Sequence, residues 1–188
     1  DRGANSGEVV THIASDNVKG GEMAAEYMAK QLGEEGKVVE LAGIPGTSAA
    51  RDRGKGFNQG IDSYEGINVI ARQPAGFDRA QGMTVSENIL QANQEIDAVF
   101  AHNDSMALGA VDALKSAGRL EDTMVVGFDA INDALTAIED GELDATVKQQ
   151  PALMGEMAIE KAKMIANDKN LKEYYPAELK LITKESME

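Results

Sequence analysis

Apolar residues in this chain fall in short runs, each closed by a polar or glycine-rich cluster and followed by a stretch with helical spacing. The clearest unit lies at 96–109. Val99, Phe100 and Ala101 suit a strand covered on both faces, Asn103 falls at its carboxyl end, and Asp104 is predicted to cap a helix over 105–114. Alternation at 8–14 predicts an earlier strand, and Ser15, Asp16 and Asn17 form a capping cluster. A helix with Met23, Ala24, Tyr27, Met28 and Leu32 on its apolar face follows over 18–32.

The same alternation continues to the end of the chain. A strand is predicted at 37–42, then the loop from Gly43 to Ser48, with Thr47 or Ser48 capping a helix that carries Arg51, Arg53, Phe57 and Ile61. The next strand, at 67–71, exits through Gln73-Pro74-Ala75-Gly76-Phe77-Asp78, with Asp78 capping a helix that buries Met83, Val85, Ile89 and Leu90. Strands at 123–128, 145–147 and 178–183 and helices ending near Glu139 and over 154–165 complete the pattern. Such alternation predicts an α/β fold, a doubly wound parallel sheet with flanking helices and right-handed crossovers. It is interrupted near 7–15 and 149–151, the candidate crossings between domains.

Composition narrows the function. The 188 residues, 43% of them hydrophobic, suffice for one α/β domain, or for one domain plus part of another, but not for two full domains. A formal net charge of −14 repels phosphate backbones and anionic membranes, so no nucleic-acid partner is expected. The absence of Cys excludes disulfides, thiolate metal sites and thiol nucleophiles. His12 and His102 fall on different strands without a third ligand at matching spacing, so no metal or cofactor is expected. The Gly43 to Gly46 loop lacks the Gly-Lys-Ser/Thr of a phosphate cradle.

The strand ends gather hydrogen-bonding groups rather than nucleophile and base pairs: Ser15, Ile44 with its glycine loop, Arg53, Phe77, Asn103, Asp129 and Gln149. In open α/β sheets ligands bind outside the carboxyl ends of the strands. Arg supplies a rigid fork of donors, Asp acceptors, and Asn and Gln both, a mixture that fits vicinal hydroxyls. Phe77 can cover the C–H face of a sugar ring. Those groups point to polyol binding without catalysis.

Asp1-Arg2, the run from Gly46 to Gly54, Gln73 to Asp78, Asn103 to Gly109 and Val126-Gly127-Phe128-Asp129 resemble the ribose-binding proteins, periplasmic sugar receptors of ABC importers, and the resemblance runs through essentially the whole chain. It implies ligand contacts from Asp1, Arg2, Ser15, Ile44, Arg53, Phe77, Asn103, Asp129 and Gln149. Asp1, Arg53, Asn103, Asp129 and Gln149 would bond hydroxyls, and Phe77 would pack on the ring. Family members have two lobes. The resemblance implies that 15–149 is the second lobe, 1–14 a remnant of the first with the first crossing, 150–177 a helical segment that packs on the first lobe, and 178–188 a returning strand. The resemblance further implies that the first lobe is largely missing from this sequence and that a closed site would need it.

The function implied is capture of ribose or a similar aldopentose by lobe closure, with delivery to an ABC permease in the membrane and recognition by a chemoreceptor. The location implied is the periplasm, or a tether on the outer face of a single-membrane cell. The alternative is the effector domain of a LacI-type transcription regulator, which shares the fold and would be preceded by a helix-turn-helix. An enzyme using the Gly43 loop ranks last, because no positioned general base accompanies it.

Overall fold

The short apolar runs become strands, the central ones buried because helices cover them on both faces. In the computed structural model, which describes residues 2–4 and 6–187, they assemble with the helices between them in the order β1 (His12–Ser15), α1 (Asn17–Gln31), β2 (Glu35–Ala42), α2 (Ser48–Ile61), β3 (Gly66–Pro74), α3 (Arg79–Ala92), β4 (Ala98–Ala101) and α4 (Asp104–Ala117). Then come β5 (Met124–Asp129), α5 (Asn132–Glu139), β6 (Ala145–Lys148), α6 (Pro151–Ala166), β7 (Tyr174–Ala177), β8 (Lys180–Thr183) and α7 (Lys184–Met187). A six-stranded sheet runs β3-β2-β4-β5-β6-β8, parallel throughout except for β8, which returns antiparallel to β6. The order reverses between β2 and β4, so their loops part at the carboxyl edge and leave a crevice there.

Each face of the sheet has its own core. On one, Phe57 of α2 stacks on Phe100 of β4 at 4.4 Å between ring centroids, joined by Met28, Val38, Val126 and Phe128. On the other, Leu41, Val99 and Val125 meet Met106, Val111, Leu114 and Ile138. Two helix pairs lie unusually close. A Cβ at Gly56 of α2 would fall 1.8 Å from the Val18 carbonyl oxygen of α1, and one at Gly109 of α4 would fall 2.2 Å from the Arg79 carbonyl of α3.

Helix starts follow the expected side chains with one exception. Asp16, Thr47 and Asp78 cap α1, α2 and α3 by accepting from the amides of Lys19, Ala50 and Gln81. At α4 the cap is Asn103, not Asp104: the Asn103 side chain accepts from the Met106 amide, and Asp104 is the first helical residue, turned inward. Asn103 alone has extended backbone angles there, which is what an N-cap requires.

Other differences concern strand limits. β1 begins at His12 rather than residue 8, because pairing starts where the His12 amide reaches the Glu173 carbonyl at 2.8 Å, while Val9 and Val10 stay exposed. Its partner is β7, paired in parallel as a separate two-stranded sheet. The helical segment expected at 150–177 thus also contains a strand, in which Pro176 is tolerated because it lies at a sheet edge. Likewise β3 runs on through Pro74, expected in a loop, because β3 is an edge strand. The helix α6 contributes no buried residue, leaving Ile159 and Ile165 exposed.

One buried hydroxyl lies outside this pattern. Ser86 of α3 is 5% exposed among Val39, Ile89, Leu90, Ile96, Val99 and Leu114, and its Oγ has no hydrogen-bond partner among the described residues. Stranding a hydroxyl in an apolar pocket costs about 1–3 kcal/mol, and Ala is the better helix former. Ser86→Ala is therefore expected to raise the unfolding free energy in urea by about 1 kcal/mol; a loss of stability would mean that the hydroxyl has a partner.

Candidate functional site

The carboxyl edge of the sheet is organised by Arg53, one turn into α2. Although charged, it is only 4% exposed. Nε donates to Asn17 Oδ1 at 2.8 Å, Nη1 donates to the His102 carbonyl at 2.6 Å and to Asp129 Oδ1 at 3.3 Å, and the guanidinium lies 3.8 Å from the centre of the Phe128 ring. Burial lowers its pKa to about 10, against the opposing pull of Asp129 and Asp104, so it stays charged at neutral pH. Arg53 is thus no surface arginine; the exposed pair with Asp52 is made by Arg51.

Beneath it lies a second buried charge. Glu40 of β2 accepts from His102 Nε2 at 2.8 Å, from Arg72 Nε at 2.5 Å and from Asn58 Nδ2 at 3.1 Å. Because His102 Nδ1 accepts from the Gly43 amide at 3.3 Å, its proton belongs on Nε2, facing the carboxylate. Burial would raise the Glu40 carboxyl, but the hydrogen bonds from His102 and Arg72 prevail and hold it below the ordinary range. His102 links Glu40 to Arg53, its ring donating to the carboxylate and its carbonyl accepting from the guanidinium.

Around Arg53 the strand tips carry the other groups. Asp129 ends β5 with φ of +123°, followed by Ala130 at +58°. Left-handed conformations at residues other than glycine cost about 1–3 kcal/mol each and persist only where their surroundings fix them. Asp129 Oδ1 accepts from both Arg53 and Gln149 Nε2, while Oδ2 has no partner among the described residues. Burial raises the Asp129 carboxyl, against the pull of Arg53. Gln149 Oε1 accepts from the Ser15 hydroxyl at 2.6 Å, which fixes the amide with one N–H toward the crevice. Asn103 uses Oδ1 as a cap and one N–H on the Phe77 carbonyl at 3.4 Å, so its second N–H remains.

The aromatic wall is Phe77, held at φ of +60° after Gly76 at +63°. Its ring lies so near the Gly43 backbone that a Cβ on Gly43 would fall 2.0 Å from its Cζ, so only glycine fits there. The Arg2 guanidinium stands 5.5 Å from the ring centre.

Arg2, Arg53, Phe77, Asn103, Asp129 and Gln149 thus line one crevice of about 210 Å³, together with Ala49. Two other expected contacts are placed differently. Ser15 is buried and faces Gln149 rather than the crevice, and Ile44 stands exposed on the loop after β2 outside its lining. Asp1 lies outside the described residues. A larger hollow of about 340 Å³ opens alongside, walled by Ser15, Asp16, Asn17, Arg51, Asp52 and Tyr174. Its charged fork is already used, with Arg51 bonding Asp52 at 2.9 and 3.1 Å, so the smaller crevice has the better convergence of polar groups. Asn17 was legible only as part of a capping cluster; nothing local to it signals the long-range bond to Arg53.

The sequence matches the periplasmic binding protein domain over residues 1–170. The chain belongs to that family. Curated relatives of this periplasmic binding protein domain include the ribose import binding protein of Escherichia coli strain K12, 50% identical over 98% of this chain and 62% of the relative. That of Bacillus subtilis strain 168 is 51% identical over 97% of this chain and 59% of the relative. The chain therefore spans about three-fifths of these relatives. Among solved structures, the periplasmic binding component of the arabinose ABC transporter from Shewanella sp. ANA-3, bound to α- and β-L-arabinofuranose, superposes with a TM-score of 0.92 at 33% identity, over 99% of this chain and 64% of that one. An ABC transporter periplasmic solute binding protein from Actinobacillus succinogenes with bound D-allose gives 0.89 at 33% identity, over 94% of this chain and 62% of that one. The α/β fold with a mostly parallel sheet is that of these neighbours, and nothing among the similarities favours the regulator alternative.

The buried bond between Asn17 and Arg53 makes a direct prediction. Asn17→Ala removes an acceptor from a buried cation and should lower the unfolding free energy in urea by about 2 kcal/mol. Asp16→Ala, which removes only an exposed helix cap, should lose about 1 kcal/mol. Equal losses in the two variants would contradict the weight given to Arg53.

Proposed function

We propose that this chain forms one wall of a pentose site and serves as the substrate-binding component of an ABC sugar importer, taking ribose or a similar aldopentose. The observation that carries the reading is the convergence of the Asp129 acceptor, the Arg53 fork and the Asn103 and Gln149 amides beside Phe77 in one crevice. A sugar hydroxyl both donates and accepts, so a carboxylate oxygen flanked by N–H donors suits vicinal hydroxyls. Phe77 offers the apolar surface for a ring face. The relatives named for ribose import, and the neighbours holding L-arabinofuranose and D-allose, support the same ligand class.

On this reading residues 15–149 are the second lobe of a two-lobed receptor, and 1–14 and 150–177 belong with the first. The separate β1–β7 sheet and the uncovered α6 support that division. The sugar would be enclosed when the lobes close about the crossing strands, each lobe's contacts favouring the closed state. A membrane permease would read the closed form, as would a chemoreceptor, and the site of action would be the periplasm or the outer face of a single-membrane cell. The net charge of −14 suits an uncharged ligand.

With one wall only, affinity should be weak, with Kd on the order of 1 mM. In ¹H–¹⁵N NMR titrations, D-ribose should shift the resonances of Arg53, Phe77, Asn103, Asp129 and Gln149, and Asp129→Ala should weaken binding about tenfold or more. Shifts confined to the hollow beside Tyr174, or none at saturating sugar, would reject the reading.

A further inference from the structure

One buried carboxylate has no role in the sugar contacts, yet it ties together three of the strand tips that supply them. Asp104, at the start of α4 directly after Asn103, is fully buried. Its Oδ2 accepts from the Ile131 amide at 2.9 Å, and its Oδ1 accepts from the Thr146 hydroxyl at 2.6 Å. Thr146 Oγ1 in turn accepts from the Ala130 amide at 3.2 Å. The two amides that follow Asp129 are therefore both captured, one directly and one through Thr146, where the chain bends through the left-handed region. Thr146 lies on β6, three residues before Gln149. Gly127 leaves room for the carboxylate: a Cβ there would fall 2.2 Å from Asp104 Oδ1.

We propose that Asp104, acting through Thr146, is a positioning residue for the sugar site, holding the bend after Asp129 so that the Asp129 carboxylate faces Arg53 and the crevice. The inference rests on the polyol reading of that crevice. A carboxylate is needed because both of its oxygens accept: a proton on Oδ1 would meet the Thr146 hydroxyl hydrogen, and one on Oδ2 the Ile131 N–H. The charged groups facing it are Asp129 and Arg53. Burial, aided by Asp129, lifts the Asp104 carboxyl to about 7 against the pull of the Thr146, Ile131 and Ala130 donors. The tie should therefore loosen as pH falls through that value.

The test uses this chain, isotope-labelled, with Thr146→Val, Thr146→Ser and Asp104→Asn. Without sugar, the Ala130 and Ile131 amide resonances of the parent should titrate with a midpoint near 7, and Asp104→Asn should abolish the transition. With D-ribose, Thr146→Val should bind about fivefold or more weakly than the parent, while Thr146→Ser, which keeps the hydroxyl, should bind within about twofold. The inference is overturned if those amides titrate alike in parent and Asp104→Asn, or if Thr146→Val binds ribose as the parent does. A parent that ignores ribose rejects the polyol reading, and the amide titration then still decides whether Asp104 holds the bend. Should Asp104→Asn not fold, a parent without the amide transition overturns the inference, and the Thr146 pair decides the remainder.

Discussion

The arrangement at the carboxyl edge depends on burying the guanidinium of Arg53. Removing such a group from water costs several kcal/mol unless its donors are met and its charge is balanced. Here Asn17, the His102 carbonyl and Asp129 accept from Nε and Nη1, and Phe128 covers the flat face. One side chain of α2 thereby joins the start of α1 to the ends of β4 and β5, and through Asp129 and Gln149 the links reach Ser15 at the end of β1. His102 carries them down to Glu40 in the middle of β2. The rim of the crevice is thus a connected polar web on an apolar sheet, with Asp129, Gln149 and Asn103 each fixed by two bonds and left with capacity for another.

Such a web needs the helices close to the sheet and to each other, and glycine provides the room. A Cβ at Gly21 of α1 would fall 2.1 Å from the carbonyl oxygen of Arg53, so α1 presses on α2 at the residue that carries the cation. The next residue, Gly54, faces Glu40 Oε1 and His102 Cε1, each 3.0 Å from where its Cβ would be. Placing Arg53 between these two glycines draws its side chain down beneath the strand tips instead of out to solvent. On the opposite face Gly82 and Gly109 bring α3 against α4, which sets Phe77 beside Asn103.

Most of this was legible because it is local. Buried strands read as apolar runs, and caps such as Asp16, Thr47 and Asp78 announce helix starts from their own side chains. The ends of β2, β3, β4 and β5 delivered Arg53, Phe77, Asn103 and Asp129 to one crevice, because parallel strands place their carboxyl ends together. Relations between distant residues were not legible. Asn103 and Asp104 are equally good caps by type, and only the turn of the backbone assigns the cap to the first and sends the second toward Thr146. Ser15 reads as a strand-tip contact, whereas its hydroxyl is used on Gln149, 134 residues away. Pro74 misled in the same way, since edge position is a property of the sheet and not of the strand.

The central claim is that a buried cation holds a rim of amides and one carboxylate ready for an uncharged ring of hydroxyls. A crystal structure of the chain grown with D-ribose tests it most directly. The account predicts a pentose against Phe77, with hydroxyls bonded to Asp129 Oδ2, to Arg53 and to the Asn103 and Gln149 amides, while Arg53 keeps its bonds to Asn17 and the His102 carbonyl. A pentose seated beside Tyr174 instead, or an Arg53 side chain turned out to solvent, would contradict it.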